Sequence, residues 1–190
     1  MNFFKNVFLM IVISLIASIR MIGQDAEYKM PIEFYLGGSY TIAPSFSIDG
    51  NWTINATTSA SFYSLFGDLV INKNLIGRVQ VSFLSSLSDE LDSELISGFE
   101  MNGSLGYNLK LENNEKLSIP IMATIGYASI ADESAKDPGM QLGVTMGLNY
   151  ALAERVNATS TIRYLKGVGF ESGAKISQLD LSFGVQYRIL

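Results

Sequence analysis

The chain contains no cysteine and no histidine. Without cysteine there is no disulfide, no thiolate metal centre and no thiol to carry a lipid behind an export signal. That absence is compatible with an oxidising compartment. Without histidine the commonest general base and metal ligand is missing. Positive charge is also in deficit, with 13 Lys and Arg against 18 Asp and Glu and a net charge of −5. A nucleic-acid binder needs a basic surface, so no nucleic-acid partner is expected. Outside the N-terminus, no apolar run approaches the about 20 residues that a transmembrane helix requires.

The chain is nevertheless 48% hydrophobic over 190 residues, a length that suits one domain. Part of that content is an export signal. Met1 to Asn6 carries Lys5, Val7 to Ile19 is apolar, and polar residues follow, Arg20 first. A positive segment followed by a short apolar one is the pattern of a secretory signal peptide. Cleavage is expected near Gly23–Gln24, giving a signal over 1–23 and a mature domain over 24–190. The alternative is an uncleaved N-terminal anchor.

The rest of the apolar content alternates. From Gln178 to Arg188 the residues Leu179, Leu181, Phe183, Val185 and Tyr187 fall on one face, continuing to Ile189. Gln178, Asp180, Ser182, Gly184, Gln186 and Arg188 fall on the other. A period of two marks a strand whose faces meet unlike surroundings. The pattern recurs in eight segments, about 32–43, 61–72, 75–85, 97–112, 117–128, 140–151, 156–166 and 177–190. The second is the least regular, because Phe62, Phe66 and Val70 interrupt its polar face.

The connections alternate too. Asn72–Asn74, Asn113–Lys116 and Leu152–Arg155 read as tight turns. The stretches 44–60, 86–96, 129–139 and 167–176 are longer and rich in Ser, Gly and Asp, and Trp52–Thr58 could extend a hairpin. Short turns on one side and long loops on the other describe an all-β fold, an eight-stranded antiparallel up-and-down transmembrane β-barrel. An even strand number puts both termini on the short-turn side, which is the periplasm in an outer membrane.

Alternation alone does not say which face points outward, and a soluble lipocalin-like barrel would turn its apolar face inward. Three features favour lipid. Apart from Lys166 at the very end of the seventh segment, the apolar rows carry no Asp, Glu, Lys or Arg within the assigned strands. Their aromatics gather near strand ends in two girdles: Tyr40, Tyr63, Phe83, Phe99, Tyr127 and Tyr164 toward the loops, Phe34, Tyr107, Tyr150 and Tyr187 toward the turns. The opposite rows are mostly Gly, Ser, Thr, Asn and Gln, which suit the crowded interior of a small barrel.

The interior rows hold Glu33, Asp68, Glu100 and Asp180 against Arg78, Lys110, Arg163 and Arg188. Desolvated charges need partners. Matching by depth pairs Arg163 with Glu100 or Asp180, Asp68 with Arg78, and Glu33 with Arg188 or Lys110. The expected interior is a plug held by ion pairs.

Other motifs carry little. Ser172 and Lys175 match S-x-x-K but lie in a predicted loop without the companion motifs. Gly167, Gly169 and Gly173 lack the spacing of a phosphate loop. Asp89, Glu90, Asp92 and Glu94 crowd one loop and Asp132, Glu133 and Asp137 another; a solvated acidic face is the first reading, cation bridging to lipopolysaccharide the second. Asn51, Asn55, Asn102 and Asn157 open glycosylation-type triplets, read as chance. No catalytic, cofactor-binding or metal residue is assigned, and no cofactor.

Over about 30–190 the chain resembles the small outer-membrane β-barrel family of OmpA-like transmembrane domains and OmpX-like proteins. The most specific likeness is to the C-terminal assembly signal of such barrels, here Ser182, Gly184, Tyr187 and Ile189. Related spacings occur at Ser104, Gly106, Leu109 and Leu111, and at Gln141, Gly143, Met146 and Leu148. The chain departs from the family in ending on Leu190 instead of an aromatic residue, and a cell-wall-binding domain is not expected after the last strand. The resemblance implies a non-enzymatic outer-membrane protein with a structural or adhesive role. Its partners would be outer-membrane lipid and lipopolysaccharide, the barrel-assembly machinery through the last strand, and an extracellular protein. The alternatives are a small gated pore, an accessory subunit of an export machine, a lipid-modifying hydrolase on the same barrel, and a soluble carrier of a hydrophobic ligand.

Overall fold

The computed structural model describes residues 31–49, 56–87, 97–111, 114–131, 136–168 and 175–190. The expected signal over 1–23 and most of the long-loop residues lie outside these. The described chain forms eight strands: β1 (Ile32–Asp49), β2 (Ala56–Ile71), β3 (Leu75–Leu87), β4 (Ser97–Leu111), β5 (Asn114–Ala131), β6 (Lys136–Ala153), β7 (Val156–Val168) and β8 (Lys175–Arg188). Each pairs antiparallel with its sequence neighbour, and β8 returns to β1, closing the barrel. Beyond the ladder, Ile189 N donates to Phe34 O at 2.8 Å and Phe34 N to Leu190 O at 3.2 Å, so the last residues still hold the seam.

The strands run 13 to 18 residues; β4 and β8 keep about their expected lengths and the other six are longer than the alternation suggests. The roughly 9–11 residues needed to cross hydrocarbon are therefore exceeded. β1 continues to Asp49, past the expected end near residue 43. Pro44 has no N–H to give the ladder. The strand carries it through a bulge, with register shifts against both β2 and β8 between Ile42 and Phe46, and pairing resumes to Asp49. β5 absorbs a second proline. Pro120 pairs with Asn108 on β4, while the ladder to β6 skips from Ser118 to Ile121. Opposite it stands Gly147, where an added Cβ would meet the Pro120 ring at 2.9 Å.

The turns keep their expected places with narrower bounds at β6–β7, where Glu154 and Arg155 alone form the turn. Asn114–Lys116, expected as turn, opens β5. Between β2 and β3, Asn72 and Lys73 have φ of 50° and 65°, and Asn74 N donates to Ile71 O at 3.3 Å. Two successive left-handed residues match the twist of a hairpin. Asn108 N of β4 donates to Asn74 O and fastens that turn to the neighbouring strand.

The two rows separate as expected. Leu65, Leu105, Val144 and Phe183 are among the exposed outward residues, each more than half exposed. Thr41, Ser82, Asn102 and Asp180 are fully buried inward. The girdles are present: at the loop end Tyr40 packs on Tyr63 with centroids 5.4 Å apart and Phe83 on Phe99 at 5.5 Å, and at the turn end Tyr107, Tyr150 and Tyr187 are exposed. The irregular residues of β2 have a place as well. Phe62, Phe66 and Val70 point into the lumen and are buried. Phe66 has room because Gly37 lies beside it, where any Cβ would strike its ring. The interior is thus partly apolar, with Val70, Ile76 and Met122 forming a collar against which Tyr35 packs.

Candidate functional site

The polar lumen is the site that the fold builds. It is organised by depth. At the loop end, Arg163 of β7 donates from Nε to Asp180 Oδ2 of β8 at 2.7 Å and from Nη2 to Glu100 Oε2 of β4 at 3.0 Å, with a further bond from Nη2 to Asp180. Gln178 Nε2 adds a bond to Glu100 Oε1 at 2.7 Å, and Gln141 Nε2 reaches the same oxygen at 3.5 Å. Arg163, Glu100 and Asp180 are all buried.

The middle of the lumen is laced by hydroxyl groups. Thr41 meets Ser182 at 2.8 Å, Ser64 donates to Ser82 at 2.9 Å, and Thr124 bonds Ser104 at 2.9 Å and Thr145 at 2.8 Å. Such pairs fill the space left between the larger inward side chains while satisfying their own buried oxygens. Nearer the turns, Arg78 of β3 forks onto Asp68 of β2, Nε to Oδ1 at 2.6 Å and Nη2 to Oδ2 at 2.7 Å. Its guanidinium lies 4.4 Å from the Phe66 ring centroid. The pair has the bidentate geometry that makes a buried Arg–carboxylate contact directional.

At the turn end, beside Val70 and Ile76, lies a polar cavity of about 180 Å³. Glu33, Tyr35, Lys110, Asn149, Asn157 and Arg188 contribute to its wall. Tyr35 donates to Glu33 at 2.9 Å, and Arg188 lies 3.8 Å from both Glu33 and Glu154.

The structure therefore assembles the ion pairs the sequence suggests. Arg163 takes both expected partners, Asp68 takes Arg78, and Glu33 takes Arg188. Lys110 is exposed at the rim of the cavity. Sequence reading missed Gln141, Gln178 and Asn102. Their signal was available, since each sits on the inward row at or next to the depth of Glu100 and Asp180. Among the described residues, no group of three or more Asp and Glu side chains is placed to hold a metal. Asn102 is buried in the lumen and closed to a glycosyltransferase. Ser172, the acidic residues Asp89 to Glu94, Asp132 and Glu133, and Asn51 and Asn55 lie outside the described residues.

The closed eight-stranded ladder, the apolar outer wall and the filled polar lumen can now be set beside known proteins. The family described as Outer membrane protein beta-barrel domain matches residues 14–188. The chain belongs to that family. Solved outer-membrane barrels share its fold. Neisserial surface protein A superposes with a TM-score of 0.63 at 16% identity, covering 81% of this chain and 96% of that one. OprG from Pseudomonas aeruginosa gives 0.51 at 13% identity over 87% and 99%. A major outer membrane protein from Thermus thermophilus gives 0.51 at 13% over 84% and 100%. No curated protein sequence matches the chain. In this outer-membrane barrel the outward rows face lipid, and the soluble carrier reading, which needs an apolar interior, does not fit the exposed apolar wall.

Proposed function

We propose that this outer-membrane barrel is a non-catalytic, plugged scaffold whose work is structural and adhesive. The observation that carries this reading is the bolted lumen. Arg163 ties β4 to β7 and β8, and Arg78 ties β3 to β2 at a second depth, with hydroxyl pairs filling the space between. A wall braced at two depths suits a rigid support for four loops. The loops would face outward and both termini the periplasm, after removal of residues 1–23. Residues 24–190 would then be the mature protein. The last strand would be recognised by the assembly machinery through Ser182, Gly184, Tyr187 and Ile189. The acidic loops would meet lipopolysaccharide through bridging cations or an extracellular protein directly.

The test replaces the loop segments 88–96 and 132–135 with short turns in cells that display the protein. The scaffold reading expects normal insertion and heat-shifted gel migration, with adherence of the cells to an extracellular-matrix surface lost. Unchanged adherence together with unchanged membrane integrity on deletion of the whole protein would sink it. A second reading, a small gated pore, is favoured by the polar cavity at the turn end. It requires the ion pairs above that cavity to open, and a steady current through a planar bilayer would support it.

A further inference from the structure

The charge count in the loop-end cluster does not close. Glu100 and Asp180 face a single cation, Arg163, and none of the three is more than 3% exposed. With both carboxylates ionised the cluster carries one surplus negative charge. Lys166, three residues along β7, does not offset it, being exposed on the outward row. The loop segments 50–55, 88–96, 132–135 and 169–174 contain seven Asp and Glu and no Lys or Arg. With Asp49 and Asp137 offsetting the adjoining Lys136 and Lys175, the loop sequences are net acidic and favour cations over anions at that end.

A second observation is independent of charge. The Asn102 amide, 1% exposed, has no hydrogen-bond partner at either its oxygen or its nitrogen. It lies over Gly126, where any Cβ would run into its Oδ1, and Gly126 stands between Asn102 and Gln141 in the strand register. Gln141 Oε1, Gln178 Oε1 and Asp180 Oδ1 are likewise buried without partners. The two Gln nitrogens point at Glu100, which orients their carbonyl oxygens away from it. Against these four oxygens stand two unpartnered donors, Asn102 Nδ2 and Arg163 Nη1. Buried groups of this kind call for a water or an ion. Water would satisfy hydrogen bonds but leave the surplus charge in place.

We propose that the loop-end lumen binds a small monovalent cation of the alkali class, held by Asp180 and the carbonyl oxygens of Asn102, Gln141 and Gln178 and balanced by Glu100. Carbonyl and carboxylate oxygens are the ligands that replace the hydration shell of hard cations. One positive charge neutralises the cluster, whereas a divalent ion would overshoot it.

The test is thermal unfolding of the detergent-folded full chain in sodium chloride and in choline chloride at equal ionic strength, read by gel migration and loss of β-sheet circular dichroism. Choline carries the same charge on a methylated nitrogen, which offers carbonyl and carboxylate oxygens no bare ion to coordinate. The wild type is expected to unfold at a higher temperature in sodium, with a shift that saturates as sodium rises. Glu100→Gln keeps the shape and an acceptor oxygen but removes the surplus charge, and is expected to lose the shift. Asp180→Asn serves as the second charge-neutralising variant, and sodium-23 line broadening on the unaltered protein provides a readout that needs no variant. Equal unfolding temperatures in the two salts would overturn the site. So would a sodium shift kept in Glu100→Gln, which would place the ion elsewhere. Stabilisation by acid alone, without cation dependence, would assign the balancing charge to a proton and overturn it too.

Discussion

Arg163 and Glu100 lie 63 positions apart in sequence and on strands three steps apart around the barrel, yet their side chains meet across the lumen at 3.0 Å. The contact bypasses the hydrogen-bonded ladder. It joins walls that the closed ladder separates by β5 and β6 on one side and by four strands on the other, and Asp180 extends it to β8.

Removing the guanidinium leaves two buried carboxylates facing each other. Arg163→Met is expected to cost about 3–5 kcal/mol. Urea unfolding in lipid vesicles measures it, and a loss below that of an exposed substitution would show that the contact is not structural.

The Asp68–Arg78 pair gives a separable case, since it sits at another depth. Asp68→Lys is expected to destabilise the barrel strongly by juxtaposing two cations. Adding Arg78→Asp is expected to restore part of the loss, with a coupling of about 1–3 kcal/mol. No restoration in the double variant would mean the two residues do not act as a pair. The restoration is only partial because the swap removes the Arg78 guanidinium from the Phe66 ring.

The outer wall should reject charge. Met146 stands in mid-strand on β6, half exposed, between Ile121 and Ile162 in register. Met146→Arg is expected to cost about 2–4 kcal/mol in bilayers. A neutral effect there would say that this face does not meet hydrocarbon.

The β2–β3 turn carries a correctable strain. Lys73 adopts φ of 65° without being glycine. Lys73→Gly is expected to stabilise the fold by about 1 kcal/mol, because a Cβ in the left-handed region costs that order of energy. A lower unfolding midpoint in the variant would show that Lys73 gains more from its surroundings than it loses to its backbone.

Close packing inside the wall offers a further contact to test. Gly37→Ala puts a methyl against the Phe66 ring and is expected to cost about 1–3 kcal/mol. Phe66→Leu in the same chain should recover part of it, as compared by parallel unfolding curves. Additive losses would contradict the contact.

These residues also show what the sequence made legible. The outward rows could be read because lipid imposes one rule on every strand, uncharged and mostly apolar residues at alternate positions across the hydrocarbon. The ion pairs could be read because buried charge demands a partner at matching depth. Phe62 and Phe66 could not, because the space for Phe66 comes from a glycine on β1, and no local pattern on β2 shows it. The length of β1 could not either: Pro44 has no N–H for the ladder, and only a bulge against two neighbours lets the strand continue. The choice between Glu100 and Asp180 for Arg163 was open in the sequence because it turns on the reach of one side chain across the lumen. The amides of Asn102, Gln141 and Gln178 gave a weaker signal, being common on any polar row.

The central claim is that the lumen is bolted shut. Single-channel recording of the folded wild type in a planar bilayer tests it most directly. The account predicts insertion without steady current, and intermittent current once Arg163 is replaced by Met. A stable ohmic conductance from the wild type would contradict it.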